Sequence, residues 1–415
     1  MVTIDAAHDA IPEQRAGSAS SPDSDGSMTR DAGVPVAIER AEQVAAFAAT
    51  NAAAIDRDGA FPTEEFQLLA DARLLTAPLS RRWGGLGLGT EPGRFGTLLD
   101  VLKTFGRGNL AVGRLYEGHA NAVQLIETFA TPQQIERVAG DIRHGCRCAV
   151  WNTEGEGGVQ VESIGGRRVR LRGGKTFASG AGQIERPLIT GALPDGGWQM
   201  MLLPADRVQL AVDPNSWQPL GMRATASFTV DVTGVELDPE DLIGAPGDYY
   251  RAPWFQAGAV RFAAVQLGGA QALLDHARGE LRQRDRTADP HQRTRFGAAG
   301  LAVESAALWL RAAAGLADRS PLGGASPGDV TDEIMVAYAN LCRTAVERAC
   351  LDVLEAVERG VGARALLRPH PVERIGRDLT LYLRQPAPDD VLASAGGYLL
   401  DAPTPIDRLW STSDR

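Results

Sequence analysis

The feature that most constrains this chain is a change of hydrophobic period near residue 146 and its reversal near residue 250. Before the change, "AIERAEQVAAFAATNAAAIDRDG" is Ala-rich and stops at Asp58-Gly59, and "FPTEEFQLLADARLL" carries Phe66, Leu68, Leu69 and Leu74 behind a Pro-Thr start. Spacings of three and four place such apolar residues on one face of a helix. Within the window, "RRVRLRGGKTFASGAG" and "ASFTVDVTGVELDP" alternate instead, and "LITGALPDGGWQMMLLP" sets a Pro-Asp-Gly-Gly turn between two apolar runs. Period two and a short Gly-rich turn predict strands and a hairpin. Afterwards long Ala/Leu stretches return, among them "DVTDEIMVAYANLCRTAVERACLDVLEAVERG", with Asp/Thr at its start and Gly360 at its end.

The expected fold is therefore α+β: an N-terminal helical domain (35–145), a central β-barrel-like domain (146–245) and a C-terminal four-helix bundle (246–400). Residues 1–34, rich in Ser, Asp, Gly and Pro, are expected to be a disordered tail, and 401–415 a second tail.

A formal net charge of -10 argues against nucleic acid as the main partner, because phosphate binding needs a clustered basic face. The four cysteines, Cys146, Cys148, Cys342 and Cys350, fit neither a disulfide framework nor zinc spacing, so no metal is expected. No run reaches the ~18–20 apolar residues of a membrane span, and no secretory signal opens the chain. A cytoplasmic protein with a small-molecule substrate is the expectation.

"RRWGGLGLG", Arg81 to Gly89, concentrates glycine just after a helical run. Such clusters mark tight paths or close approaches of the backbone. The Pro-led helix and this GG-x-G loop, "WNTEGEGG" at 151–158, "RGGKTFASGAG", "WQPLGMRATASFTVDVTGVELDPEDLIG", "RTRFG" at 293–297 and "RIGRDLTLYL" at 374–383 follow one another as corresponding motifs do in the acyl-CoA dehydrogenase superfamily of flavoproteins. Over residues 36–400 the chain resembles that superfamily.

The resemblance implies FAD, with Asn152, Thr153, Phe177 and Ser179 along the flavin. Oriented polar groups at the pyrimidine end would stabilise the charge of the reduced ring. Gly158 stands where the family often has a Ser facing the flavin phosphates. Arg293 is the position that reaches the pyrophosphate of a neighbouring subunit, which implies a homodimer or homotetramer; guanidinium geometry suits phosphate. Gly85, Gly87, His119 and Arg223 are implied on the substrate side.

The base for dehydrogenation is missing from both family positions, which hold Pro386 and Val260, the latter before Arg261. Asp389 and Asp390 are the remaining carboxylate candidates. The first reading is an FAD-dependent oxidoreductase acting on an acyl thioester such as acyl-CoA, or a related carbonyl compound, passing electrons to a partner protein. The alternative is a monooxygenase of the same fold, fed reduced flavin by a reductase; the His that such enzymes often carry on the helix ending at Arg384-Gln385 is absent here. A non-catalytic paralogue serving as a scaffold is the third.

Overall fold

The computed structural model describes residues 33–326 and 330–410, so nearly all of the expected N-terminal tail lies outside the described residues. The Ala-rich segment forms α1 (Gly33–Asp58), whose buried stripe of Ala37, Ala41, Val44, Ala45, Ala48 and Ala52 follows helical spacing. The rest of the first third is α2 (Thr63–Asp71), α3 (Phe95–Gly108), α4 (Leu110–Phe129) and α5 (Pro132–Arg143). Asn109 caps α4 by accepting the Ala111 N–H at 2.9 Å, and Thr131 closes a capping box on α5 with Gln134.

The central segment supplies ten short strands. They are β1 (Cys148–Trp151), β2 (Gln160–Gly165), β3 (Arg168–Arg172), β4 (Gly174–Ala178), β5 (Arg186–Ala192), β6 (Trp198–Leu202), β7 (Ala211–Asp213), β8 (Phe228–Asp231), β9 (Glu236–Leu237) and β10 (Leu242–Ile243). Seven join one mixed sheet in the order β10-β6-β5-β2-β3-β9, with β1 parallel to β5 and Trp151 opposite Ile189. The expected hairpin is the antiparallel β5–β6 pair. The other three strands form a separate sheet, β4-β8-β7, and among the described residues the two sheets do not close into a barrel.

Helices then resume with α6 (Trp254–Ala257), α7 (Ala259–Gln283), α8 (Pro290–Ala317), α9 (Asp332–Val361), α10 (Pro371–Tyr382) and α11 (Pro388–Asp401). Helices α7 to α10 make the bundle, and α11 packs on α9. Thr331 caps α9, which runs one residue past Gly360 and stops before Gly362 at φ +78°. Trp410 folds back from the C-terminal end to stack on Tyr398, ring centres 5.7 Å apart.

The first domain is joined to the bundle by backbone contact between α3 and α7. A Cβ on Gly106 would lie 2.1 Å from the Val265 carbonyl oxygen, and one on Gly268 would lie 2.0 Å from that of Lys103. Only glycine permits this approach, which brings α4 alongside α7 and fixes the helical wall facing the sheets. No described helix is long and apolar enough to cross a membrane.

Candidate functional site

A chain of buried hydroxyls begins where β4 ends. Ser179 Oγ lies 2.9 Å from Ser227 Oγ, which lies 2.7 Å from Thr225 Oγ1, and Thr225 donates to the Met222 carbonyl at 2.8 Å. Each hydroxyl has one hydrogen. Thr225 spends its own on Met222, so Ser227 donates to Thr225 and Ser179 to Ser227. The free end, Ser179 Oγ, is thereby left with acceptor capacity. The Trp151 indole N–H donates to the Ser179 carbonyl at 2.9 Å and fixes the strand end.

This chain sits in a strained turn. Met222 and Ala226 both have positive φ, +54° and +45°, on either side of the 3-10 turn Arg223–Thr225. Asp378 on α10 holds the turn by accepting the Met222 N–H at 2.6 Å, with Arg374 at 3.4 Å on its other oxygen. Burial pushes the Asp378 carboxyl up to about 6, against the pull of Arg374.

Beside the hydroxyls, the three-stranded sheet presents an uncovered aromatic surface. Phe177 is 58% exposed at φ +52°, and its ring meets Trp217 edge-on at 5.7 Å. The Trp217 indole nitrogen is buried and has no hydrogen-bond partner among the described residues. Near the end of β1, Asn152 Oδ1 accepts from Thr190 Oγ1 at 2.7 Å and from the Tyr250 hydroxyl at 3.3 Å. Its carbonyl takes one bond from the buried Lys175 ammonium, which also pairs with Glu154. Burial pulls that ammonium below its ordinary range. Thr153 is exposed and offers its carbonyl to the Thr176 N–H.

Helix α4 forms the facing wall. A Cβ on Gly180, next to Ser179, would lie 3.3 Å from Leu115 Cδ2, so α4 passes directly behind the hydroxyl chain. Flanking Leu115 on the same helix are Arg114 and Glu117, paired at 2.9 Å. Glu117 also meets Arg261 of α7 at 3.4 Å, and the remaining guanidinium nitrogens of Arg261 donate to Gln124 and Asn121. Tyr382, one turn beyond Asp378 on α10, which packs on α4, and Tyr249 are both buried within range of the charges of Arg114 and Glu117. Burial pushes both phenols above their ordinary range. Among the described residues the Tyr382 hydroxyl has no hydrogen-bond partner.

The structure thus brings together Ser179, the Phe177 surface and the loop that carries Arg223, while other predicted residues have different surroundings. His119 is fully buried, accepts the Cys148 N–H on Nδ1 at 3.0 Å and donates from Nε2 to the Leu75 carbonyl at 2.7 Å. Both ring nitrogens are used, and burial lowers its pKa to about 4. Gly85 is demanded by its own loop, since a Cβ there would lie 1.9 Å from the Leu79 carbonyl oxygen. Gly87, at φ +70°, packs on Glu91. Arg293 is exposed near the start of α8, bonded to the Thr287 carbonyl beside a small cavity lined by Arg278, Leu281, Gln292 and Phe296.

Asp389 and Asp390 are exposed in the first turn of α11. Pro386 offers only its carbonyl, taken by Arg343, and Val260 is fully buried. Neither position supplies a carboxylate. Among the described residues no cluster of three His, Cys, Asp or Glu side chains is placed to hold a metal.

Arg114, Glu117, Ser227, Tyr249 and Tyr382 escaped the sequence reading. One signal was available for the first two: a pair of opposite charges three apart inside "LAVGRLYEGHANAV", an otherwise weakly polar helix. Nothing local marks the phenols, which enter the wall through tertiary packing.

Residues 39–145 match the family described as acyl-CoA dehydrogenase, N-terminal domain, and residues 260–384 match acyl-CoA dehydrogenase, C-terminal domain. The chain is 25% identical over 385 residues to a dibenzothiophene monooxygenase of Mycolicibacterium goodii, covering 85% of this chain and 90% of that protein. A dibenzothiophene monooxygenase of Rhodococcus erythropolis is 26% identical over 382 residues, with the same coverage. Among solved structures, FMN-bound TdsC from Paenibacillus sp. A11-2 superposes with a TM-score of 0.81 at 22% identity, covering 90% of this chain and 100% of that one. With the two family domains in order around the central sheets, the chain belongs to the acyl-CoA dehydrogenase superfamily.

Proposed function

We propose that the protein is a flavin-dependent monooxygenase of a small organic molecule, using reduced FMN delivered by a separate cytoplasmic reductase. The observation that carries this reading is the state of the carboxylates. Neither dehydrogenase position holds one, and Glu117, on the helical wall behind Ser179, is ion-paired to both Arg114 and Arg261. Abstraction of an α-proton from a thioester requires a carboxylate free to accept it. Oxygenation requires none, and the likeness to two dibenzothiophene monooxygenases points the same way.

The residues present fit a flavin. Phe177 offers an uncovered ring face, Trp217 a buried N–H without a partner, and Ser179 an acceptor oxygen. A planar heteroaromatic ring with a polar edge is complementary to that set. When bound, the reduced flavin supplies two electrons to dioxygen, so that one oxygen atom enters the substrate and the other leaves as water. The chain's own part is positional. Ser179 would accept a ring N–H, Phe177 would cover one face, and the Met222–Ala226 turn pinned by Asp378 would hold the hydroxyl chain in register.

FMN replaces the FAD implied by the family resemblance because FMN is the form named in the TdsC structure. Arg293, exposed near the start of α8, is assigned to the flavin phosphate of a second copy in a homodimer or homotetramer. The experiment is to mix the purified protein with oxidised FMN, oxidised FAD and a panel of acyl-CoAs without oxygen, then with reduced FMN, dioxygen and small aromatic substrates. Oxygenated product with no acyl-CoA bleaching is expected. Bleaching by an acyl-CoA refutes the reading, and a protein that retains neither flavin favours a scaffold.

A further inference from the structure

Where α4 packs on α7, the charges are locally unbalanced. Two guanidinium groups, Arg114 and Arg261, share the single carboxylate of Glu117. The Arg261 side chain is 1% exposed and that of Glu117 is 7% exposed, while Arg114 keeps 27% and is the member that reaches open space. Arg261 is satisfied by Glu117, Gln124 and Asn121. Among the described residues Arg114 has only Glu117, although its guanidinium offers five donors. Helix α10 packs against α4, and its buried Tyr382 hydroxyl has no partner among the described residues. A partly shielded guanidinium with spare donors, on a wall that also holds an orphaned hydroxyl, is costly unless something completes the set. What completes it must bring negative charge and acceptor oxygens.

We infer that Arg114 and Tyr382 form the seat for an oxyanion group, a carboxylate or a sulfur oxyanion, carried by the substrate. The inference rests on the proposed oxygenase reading for the word substrate, and on the charge imbalance alone for the word anion. The geometry suits it. Tyr382 lies on the face of α10 that carries Asp378, and Arg114 lies beside Leu115, which backs the hydroxyl chain at Gly180. Gly118, one turn after Arg114, leaves the guanidinium room to lie over the helix, since a Cβ there would come within 3.2 Å of Arg114 NH1. An anion held at this end by charge-assisted bonds would direct the remainder of the molecule toward Ser179 and Phe177. A neutral aromatic hydrocarbon or thiophene would leave the spare donors of Arg114 and the Tyr382 hydroxyl unsatisfied, so this site should discriminate against it.

Calorimetric titration of the FMN-loaded protein with benzoate and with the neutral, nearly isosteric benzamide tests the seat without relying on turnover. Benzoate is expected to bind at least about tenfold more tightly. Arg114→Met should abolish the preference and Tyr382→Phe should weaken benzoate binding several-fold, with thermal melts confirming that both variants fold. Equal binding of the two probes, no binding of benzoate, or a preference that survives both substitutions overturns the inference. So does displacement of FMN by benzoate, which would make the seat a flavin-phosphate site. Oxygenation with reduced FMN is scored separately on the wild-type protein. An anion preference without oxygenation would sink the functional reading and leave the seat standing, and oxygenation without the preference would do the reverse.

Discussion

Asp378 accepts the backbone N–H of Met222 at 2.6 Å, across 156 residues of sequence. One carboxylate of the bundle thereby fixes a β-domain turn that contains two residues of positive φ. Asp378→Ala leaves a buried N–H unpaired and Arg374 without its partner, a loss of about 2–3 kcal/mol. Asp378→Asn keeps an acceptor oxygen for Met222 and should lose much less. Chemical denaturation of the three proteins checks the order. Equal stability of wild type and Asp378→Ala would remove the pinning role.

The same carboxylate and His119 give opposite slopes to stability against pH. The Asp378 pKa is raised from 3.8 to about 6. The folded state therefore holds the proton more tightly, and as pH rises from about 4 to 6 ionisation costs up to about 3 kcal/mol of stability. His119 is lowered from 6.5 to about 4, so the unfolded state binds its proton first. Its contribution, again about 3 kcal/mol, is present above pH 6.5 and is lost as pH falls toward 4. The two oppose each other across most of that window. Denaturation curves between pH 4 and 7 should show a steeper acid loss in Asp378→Asn than in wild type, and a shallower one in His119→Gln. The reverse order would contradict the assignments.

Ser179→Ala removes the acceptor end of the hydroxyl chain, whereas Ser227→Ala removes only the group that orients it. The first should weaken reduced FMN binding about tenfold, the worth of one hydrogen bond in a shielded site. The second should free the Ser179 hydrogen and shift the reduction potential of bound flavin with a smaller loss of affinity. Anaerobic titration followed by fluorescence and potentiometry separates these outcomes, and identical behaviour of the two variants would refute the one-way chain.

Much of this architecture was legible in the sequence because it depends on local periodicity. Alternation in "ASFTVDVTGVELDP" becomes β8 and β9, and the Asp-Gly-Gly turn becomes the β5–β6 hairpin. The division of the strands into two sheets was not legible, since pairing partners lie far apart in the chain. The site was legible only on its β side. Ser179 and Phe177 sit in a recognisable loop, while Arg114, Tyr249 and Tyr382 stand on three separate elements that tertiary packing brings together. His119 misled for a related reason: a histidine on a helix gives no sign of whether its ring nitrogens are already bonded to backbone, as these are.

Gly268→Ala probes the α3–α7 crossing. Its Cβ would lie 2.0 Å from the Lys103 carbonyl oxygen, so the helices must separate. A loss of about 2–3 kcal/mol, the usual cost of overpacking, is expected in thermal denaturation. A neutral substitution would mean that the wall behind the site is not set by this contact.

Arg293→Ala should lower the flavin content of the purified protein several-fold while leaving its melting behaviour without flavin unchanged, because the side chain is exposed and its one recorded bond is to the Thr287 carbonyl. Light scattering with and without flavin shows whether a second copy is involved. Unchanged flavin content ends that assignment.

In the proposed function reduced flavin and dioxygen, rather than a protein carboxylate, carry the chemistry. Its most direct test is mass spectrometry of products formed from isotopically heavy dioxygen, chemically reduced FMN and a set of aryl carboxylates and sulfinates. One heavy oxygen atom in the product, dependent on both the protein and the reduced flavin, is expected. Absence of labelled product from every member of the set, together with anaerobic bleaching of bound flavin by an acyl thioester, would contradict it.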